Sequence, residues 1–185
     1  MNTHAVMQEP AHAYRRRIAD LHRELGIPAD YALQRGLPLC EEATELADIG
    51  NDIHQRPRQL LPVAARAWQS LREQAAQEGV TLLVVSAFRS VAYQRDLIAA
   101  KLARGEALDA ILRVIAAPGY SEHHTGRALD LTAPGLPPLE ESFENTECFA
   151  WLQAQAPRFG FHLSYPRANP YGFVYEPWHW AYADP

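Results

Sequence analysis

Four polar residues in two short stretches set the strongest limit on how this chain folds. The first stretch, 121-SEHHTGRALDL-131, carries His123 and Asp130, and the second, 176-EPWHW-180, carries Glu176 and His179. Two imidazoles and one carboxylate form a ligand set that zinc accepts, and three protein ligands leave a fourth position open for water. Another carboxylate beside such a set can take the water's proton. His123, Asp130 and His179 therefore read as candidate ligands and Glu176 as candidate base. The reading holds only if the fold brings the middle of the chain against its tail.

Apolar periodicity places these residues on elements. Ile18, Leu21 and Leu25 recur at helical spacing and Gly26-Ile27-Pro28 stops the pattern, which predicts an amphipathic helix over 11–25. Pro38, Pro57 and Pro62 punctuate residues 28–62, an irregular wrap on the core. Val63, Ala64, Ala67, Trp68, Leu71 and Ala75 share one face of a helix over 60–77, with Pro62 near its first turn and Gly79 just past its end. The run 80-VTLLVVSAF-88 is continuously apolar, rich in β-branched residues and too short for a typical helix, so it reads as a buried strand. Helices are expected over 92–103 and 106–116, the second with Leu108, Ile111, Leu112 and Ile115 inward. Pro118-Gly119 then opens a loop that delivers Ser121 and His123.

Residues 127–132 alternate as a strand, with Ala128 and Asp130 on one side. A surface excursion at 134–142 precedes a helix over 146–158 that turns Phe149, Trp151 and Leu152 toward the core. Two strand-like runs, 161-FHLSY-165 and 172-GFVYE-176, read as a hairpin that carries Glu176 to the site. Pro177 argues against a helical Glu-x-x-His.

With 185 residues, 48% hydrophobic and 21% charged, the chain suits one well-packed unit. It divides into an N-terminal helical extension over 1–55 and a core unit over 56–185. A formal charge of −5 provides no basic field for nucleic acid. The run Arg15, Arg16, Arg17 reads as a solvated helix face. Cys40 and Cys148 are too few for a disulfide framework and suit a reducing compartment. No apolar stretch has the length of a secretory leader or a membrane span, so the expected location is the cytoplasm. Asp130, on an otherwise apolar strand, would be a costly buried charge without a partner, and a cation supplies one. His124 adjoins His123, but adjacent residues point apart. His4, His12, His22, His54 and His162 have no motif around them and read as surface or structural.

The pattern Ser-x-His-x-x-Gly-x-Ala-x-Asp is filled by Ser121, His123, Gly126, Ala128 and Asp130, and Glu-x-Trp-His by Glu176, Trp178 and His179. Together they resemble the signature of the VanY-type D-alanyl-D-alanine carboxypeptidases, a family of LAS-type zinc peptidases acting on peptidoglycan stem peptides. A third block, 86-SAFRSVAYQ-94, is similar to the family's Ser-x-Tyr/Phe-Arg-Ser segment with its downstream glutamine, through Ser86, Phe88, Arg89, Ser90 and Gln94. The blocks stand in family order, while the first 55 residues resemble nothing comparable. Ala181 departs from the pattern, since many relatives carry arginine there.

The resemblance implies an α+β fold, a small mainly antiparallel sheet flanked by helices. It also implies one zinc ion per chain on His123, Asp130 and His179, with Glu176 as general base. Arg89 would stabilise the developing oxyanion or hold the substrate's carboxylate. Gln94, Ser86 and Ser121 become candidate substrate contacts, and Trp178 and Tyr120 either pocket wall or core. Gly126 and Ala128 are explained by the need for small residues where the histidine loop crosses the strand.

Other hydrolytic mechanisms lack their residues. The only lysine, Lys101, has Ile98 three positions earlier, which excludes Ser-x-x-Lys, and neither H-E-x-x-H nor G-x-S-x-G occurs. Three bonds then compete: the D,D bond of a stem pentapeptide, the L,D bond of a tetrapeptide, and an internal L-alanyl-D-glutamate bond as in related endolysins. A cytoplasmic protein would meet tetrapeptides imported during wall recycling, which favours L,D-carboxypeptidase activity with D,D close behind. The alternative outside catalysis is a zinc-containing peptide-binding module, against which the retention of Glu176 counts.

Overall fold

The computed structural model of the chain describes residues 8–184. Its architecture is α+β and follows from one buried sheet. The apolar run after Gly79 yields β3 (Leu83–Ser86), and β4 (Ala128–Thr132) is buried at all five residues. Two short strands, β5 (Phe161–Leu163) and β6 (His179–Tyr182), complete an antiparallel sheet in the order β3-β4-β6-β5. A strand covered on both faces reads as continuous apolar sequence, which 128-ALDLT-132 does apart from Asp130 and Thr132.

The main core joins this sheet to α3 (Pro62–Gln77) and α6 (Glu147–Gln155), burying Trp68, Leu71, Leu129, Leu131, Leu152 and Trp180. Each such side chain contributes roughly 1.5–3 kcal/mol of transfer free energy. Pro62 starts α3, where its missing N–H is an unpaired donor in any case. A second cluster gathers Leu25 of α1 (Gln8–Leu25), Tyr31 of α2 (Tyr31–Arg35), Ile98 of α4 (Val91–Ala103) and Ile111 of α5 (Leu108–Ile111). Ser90 caps α4 by accepting the Tyr93 N–H, and the buried face Val91, Gln94 and Ile98 turns Gln94 inward. Backbone bonds from Cys40 to Gly119 and from Ala43 to His124 fasten the N-terminal residues to the histidine loop. Both cysteines are buried free thiols. Among the described residues no helix is long and apolar enough to cross a membrane.

Three local expectations give way. The irregular wrap contains a hairpin, β1 (Ala47–Asn51) with β2 (Pro57–Leu60), so residues 1–55 are not helical throughout. Its turn is organised by buried Asp52, which accepts the N–H groups of His54 and Arg56 and the guanidinium donors of Arg56 and Arg58. The helix expected over 106–116 shortens to α5, and Arg113 beyond it gives its carbonyl to the Val174 N–H. The second arm of the C-terminal hairpin begins at His179 instead of Gly172. Asn169 bonds Pro166 O, Phe173 O and the Tyr171 N–H, rolling residues 166–173 into a compact loop, and Pro177 has no N–H for a ladder. Glu176 therefore lies on the coil entering β6, held by its N–H to Tyr165 O. His12, His54 and His162 are exposed, His22 is buried with Nε2–H donated to Pro118 O, and His4 lies outside the described residues.

Gly126 is the tightest backbone crossing near the histidine loop. Its φ is +66°, and a Cβ there would stand 2.8 Å from the Leu61 backbone nitrogen, which itself donates to Gly126 O. Left-handed strain and overpacking together predict a loss of about 2–4 kcal/mol for Gly126→Ala, to be read as a lowered Tm in thermal unfolding.

Candidate metal centre

Strand pairing does the first part of the assembly. Asp130 on β4 stands directly opposite His179 on β6 and beside Ser86 on β3, so the acid and the tail imidazole share one face. A 3-10 turn, Glu122–Thr125, then folds back through left-handed Gly126 and lays His123 over the same carboxylate. His123 Nε2 is 3.2 Å from Asp130 Oδ2, and His179 Nδ1 is 3.0 Å from Asp130 Oδ1. The three residues are buried, and their ligand atoms lie within 4.8 Å of one another.

Protonation decides whether this group suits a cation. The His123 Nδ1 lies 2.7 Å from Ala87 O, and a carbonyl can only accept, so Nδ1 carries the proton. Burial, with the charge of Arg89, pushes the ring's pKa down to about 4 against the pull of Asp130, and the imidazole is neutral. Its Nε2 is then a bare lone pair, buried and without a hydrogen-bond donor, facing a carboxylate oxygen. Burial alone would raise Asp130, yet the donors of His179 and Arg89 hold it well below the usual carboxylate range. Two lone pairs 3.2 Å apart repel unless a cation lies between them. Tetrahedral zinc with bonds of 2.0–2.1 Å separates its ligand atoms by about 3.3 Å, so the donor set fits that ion.

His179 differs from its partner. Burial opposes its charge, but hydrogen bonds to Asp130 and to Glu122, whose Oε2 is 2.8 Å from Nε2, raise its pKa to about 10. Glu176 lies 4.0 Å from His179 Nδ1, and burial pushes it up to about 7, with Asp130 adding to burial and His179 and Arg89 opposing it. Glu176, Arg89, Gln94, Ser121, His123 and His179 all line one cavity of about 20 Å³, closed by Val114, Ala116, Tyr165 and Phe173. That space takes about one water or a methyl group.

Arg89 Nη2 is 3.5 Å from Asp130 Oδ2 and its Nη1 is 3.4 Å from Gln94 Oε1, while the Gln94 amide donates to Ala116 O. Two neighbouring rings pin the arginine's segment: His123 Nδ1–H on Ala87 O and His124 Nδ1–H on Arg89 O, with the Arg89 N–H returned to His123 O. Ser86 stays in the sheet and Trp178 packs against the main core, and neither lines the cavity. Tyr120 packs in the second cluster beside His22 and Tyr31. Ala181, on the same face of β6 as His179, lines a separate groove of about 720 Å³ together with Glu122, Arg127 and Tyr182. Sequence reasoning passed over Glu122 and Tyr165, whose ring lies 4.7 Å from that of His179.

Comparisons with known proteins identify this mixed sheet-and-helix fold as that of the LAS-type zinc peptidases. Residues 57–185 match the family model VanY, D-alanyl-D-alanine carboxypeptidase, and the chain belongs to that family. It is 31% identical over 124 residues to the D-alanyl-D-alanine carboxypeptidase of Enterococcus faecalis (strain ATCC 700802 / V583), a match that covers 62% of this chain and 44% of that protein. The chain likewise spans 44% of the length of a Bacillus subtilis (strain 168) relative. The LdcB LD-carboxypeptidase, described for its peptidoglycan recognition, superposes with a TM-score of 0.63 at 30% identity, covering 79% of this chain and 66% of LdcB. A mutant of the vancomycin-resistance D,D-pentapeptidase VanY, in complex with Zn(II), superposes at 0.60 with 28% identity, covering 77% of this chain and 80% of that one.

The raised pKa of His179 has a measurable consequence. At pH 7 the metal-free ring holds a proton on Nδ1, which a cation bound there must displace. Zinc uptake at pH 7 is expected to release about one proton, as read by calorimetry in buffers of different ionisation enthalpy, and affinity is expected to fall as pH is lowered.

Proposed function

We propose that the chain is a zinc-dependent carboxypeptidase that removes the terminal D-alanine from peptidoglycan stem peptides. The observation that carries this reading is the small cavity in which Glu176, Arg89, His123 and His179 meet. The methyl side chain of a terminal D-alanine suits a space of that size. His123, Asp130 and His179 are the residues that would hold one zinc ion. Zinc in such a site lowers the pKa of a bound water to about 7 and polarises a carbonyl.

The chain's own groups supply the remaining steps. Glu176 takes a proton during attack on the scissile carbonyl and returns it to the leaving amine, a role suited to a carboxylate whose pKa burial has raised toward neutrality. Arg89 is permanently charged and forked, and it offsets negative charge on the substrate's terminal carboxylate and on the carbonyl oxygen under attack. Gln94 and Ser121 offer polar contacts from the cavity wall. Tetrapeptide (L,D) and pentapeptide (D,D) substrates share the same leaving residue and differ on the other side of the bond, so one cavity serves both.

Zinc-loaded protein incubated with defined tetra- and pentapeptide muropeptides is expected to release D-alanine, detected by product mass. Release only of fragments from an internal bond would reassign the enzyme as an endopeptidase. Glu176→Ala is expected to bind zinc normally and to lose about 10²–10⁴-fold in turnover, and unchanged turnover would remove Glu176 from the mechanism. A base works only when ionised, and a divalent cation alongside favours the ionised form. The acid limb of kcat/KM in the loaded protein is therefore expected below the metal-free value of about 7.

A further inference from the structure

Glu122 touches nothing in the cavity, yet it holds the back of a residue that does. Its Oε2 lies 2.8 Å from His179 Nε2, across 57 residues of sequence, while the opposite ring nitrogen faces Asp130 Oδ1 at 3.0 Å. The two nitrogens of an imidazole diverge, so a ring that presents Nδ1 to a cation necessarily presents Nε2–H to whatever stands behind it. Here that is a carboxylate, which can only accept. Glu122 can sit there because the 3-10 turn that begins with it also carries His123. One turn thus supplies a ligand and the support for another ligand.

The two histidine rings are oriented by different means. His123 gives Nδ1–H to the backbone carbonyl of Ala87, a partner that no side-chain substitution removes. His179 has the tilted ring of Tyr165 against one face, but its Nε2 depends on the Glu122 side chain.

We propose that Glu122 is a positioning residue for the metal centre, its carboxylate accepting Nε2–H from His179 and so holding the ring with Nδ1 aimed at the place of a divalent cation. The proposal rests on His179 being a ligand, as in the functional reading above. A carboxylate behind a ligating imidazole fixes ring orientation and raises ligand basicity, and its loss typically costs 10–100-fold in metal affinity.

The test is zinc affinity of the metal-stripped full chain, measured by competition with a chromophoric chelator for wild type, Glu122→Ala, Glu122→Gln and His179→Ala. Glu122→Ala is expected to bind zinc about 10–100-fold more weakly. Glu122→Gln, whose amide oxygen still accepts a hydrogen bond, is expected to recover part of that loss. Long-range ¹H–¹⁵N spectra of the zinc-loaded wild type and Glu122→Gln proteins are expected to show the His179 proton on Nε2. Wild-type affinity in Glu122→Ala, with binding abolished in His179→Ala, would overturn the positioning role and leave the ligand assignment standing. Undiminished binding in His179→Ala would instead overturn the ligand assignment itself. Should Glu122→Ala fail to fold, Glu122→Gln decides: wild-type zinc affinity on that weaker acceptor would overturn the proposal.

Discussion

Burial of the Asp130 carboxylate is the constraint on which the rest of the molecule depends. A charge inside an apolar sheet is strongly disfavoured unless it is paired and hydrogen-bonded, and the effective cost of an unpartnered one is several kcal/mol. Its neighbours come from three separate parts of the chain: His179 across β6 and Arg89 from the segment after β3 bring charge-offsetting donors, and His123 from the turn before β4 brings a lone pair. Strand order β3-β4-β6 is the arrangement that supplies all three to a residue on β4. The same arrangement leaves one imidazole neutral and bare at Nε2, which turns a stability problem into a cation site.

Much of this was readable from residue pattern. The helix over α3, the buried run of β3 and the strand around Asp130 all showed their periodicity, and an acid alone among apolar neighbours flagged the site. What escaped notice depends on contacts that no local pattern encodes. The hairpin β1–β2 is held by the hydrogen bonds of Asp52 and not by alternation of apolar residues. At the tail, 172-GFVYE-176 looks more like a strand than 179-HWAY-182, but Asn169 consumes the neighbouring backbone groups and Pro177 breaks the ladder. Glu122 stood inside the recognised motif as an unassigned position, because its partner lies 57 residues away.

The places where patterning fails are also the places that shape the cavity. Val114 and Ala116 follow the shortened α5, and Phe173 belongs to the loop that Asn169 rolls up. Strands carry two of the candidate ligands, Asp130 and His179, while a 3-10 turn carries His123 and irregular segments line the space around them. This division is common where a rigid scaffold carries a reactive centre. It explains why the candidate ligands could be named from the sequence while Tyr165 and Phe173 could not.

The paired rings of His123 and His124 have a mechanical meaning. Each grips a carbonyl of the strand exit, at Ala87 and Arg89, and the Arg89 amide grips back. Candidate ligand and guanidinium are thereby tied to one backbone segment, so neither shifts without disturbing the hydrogen bonds that seat the other.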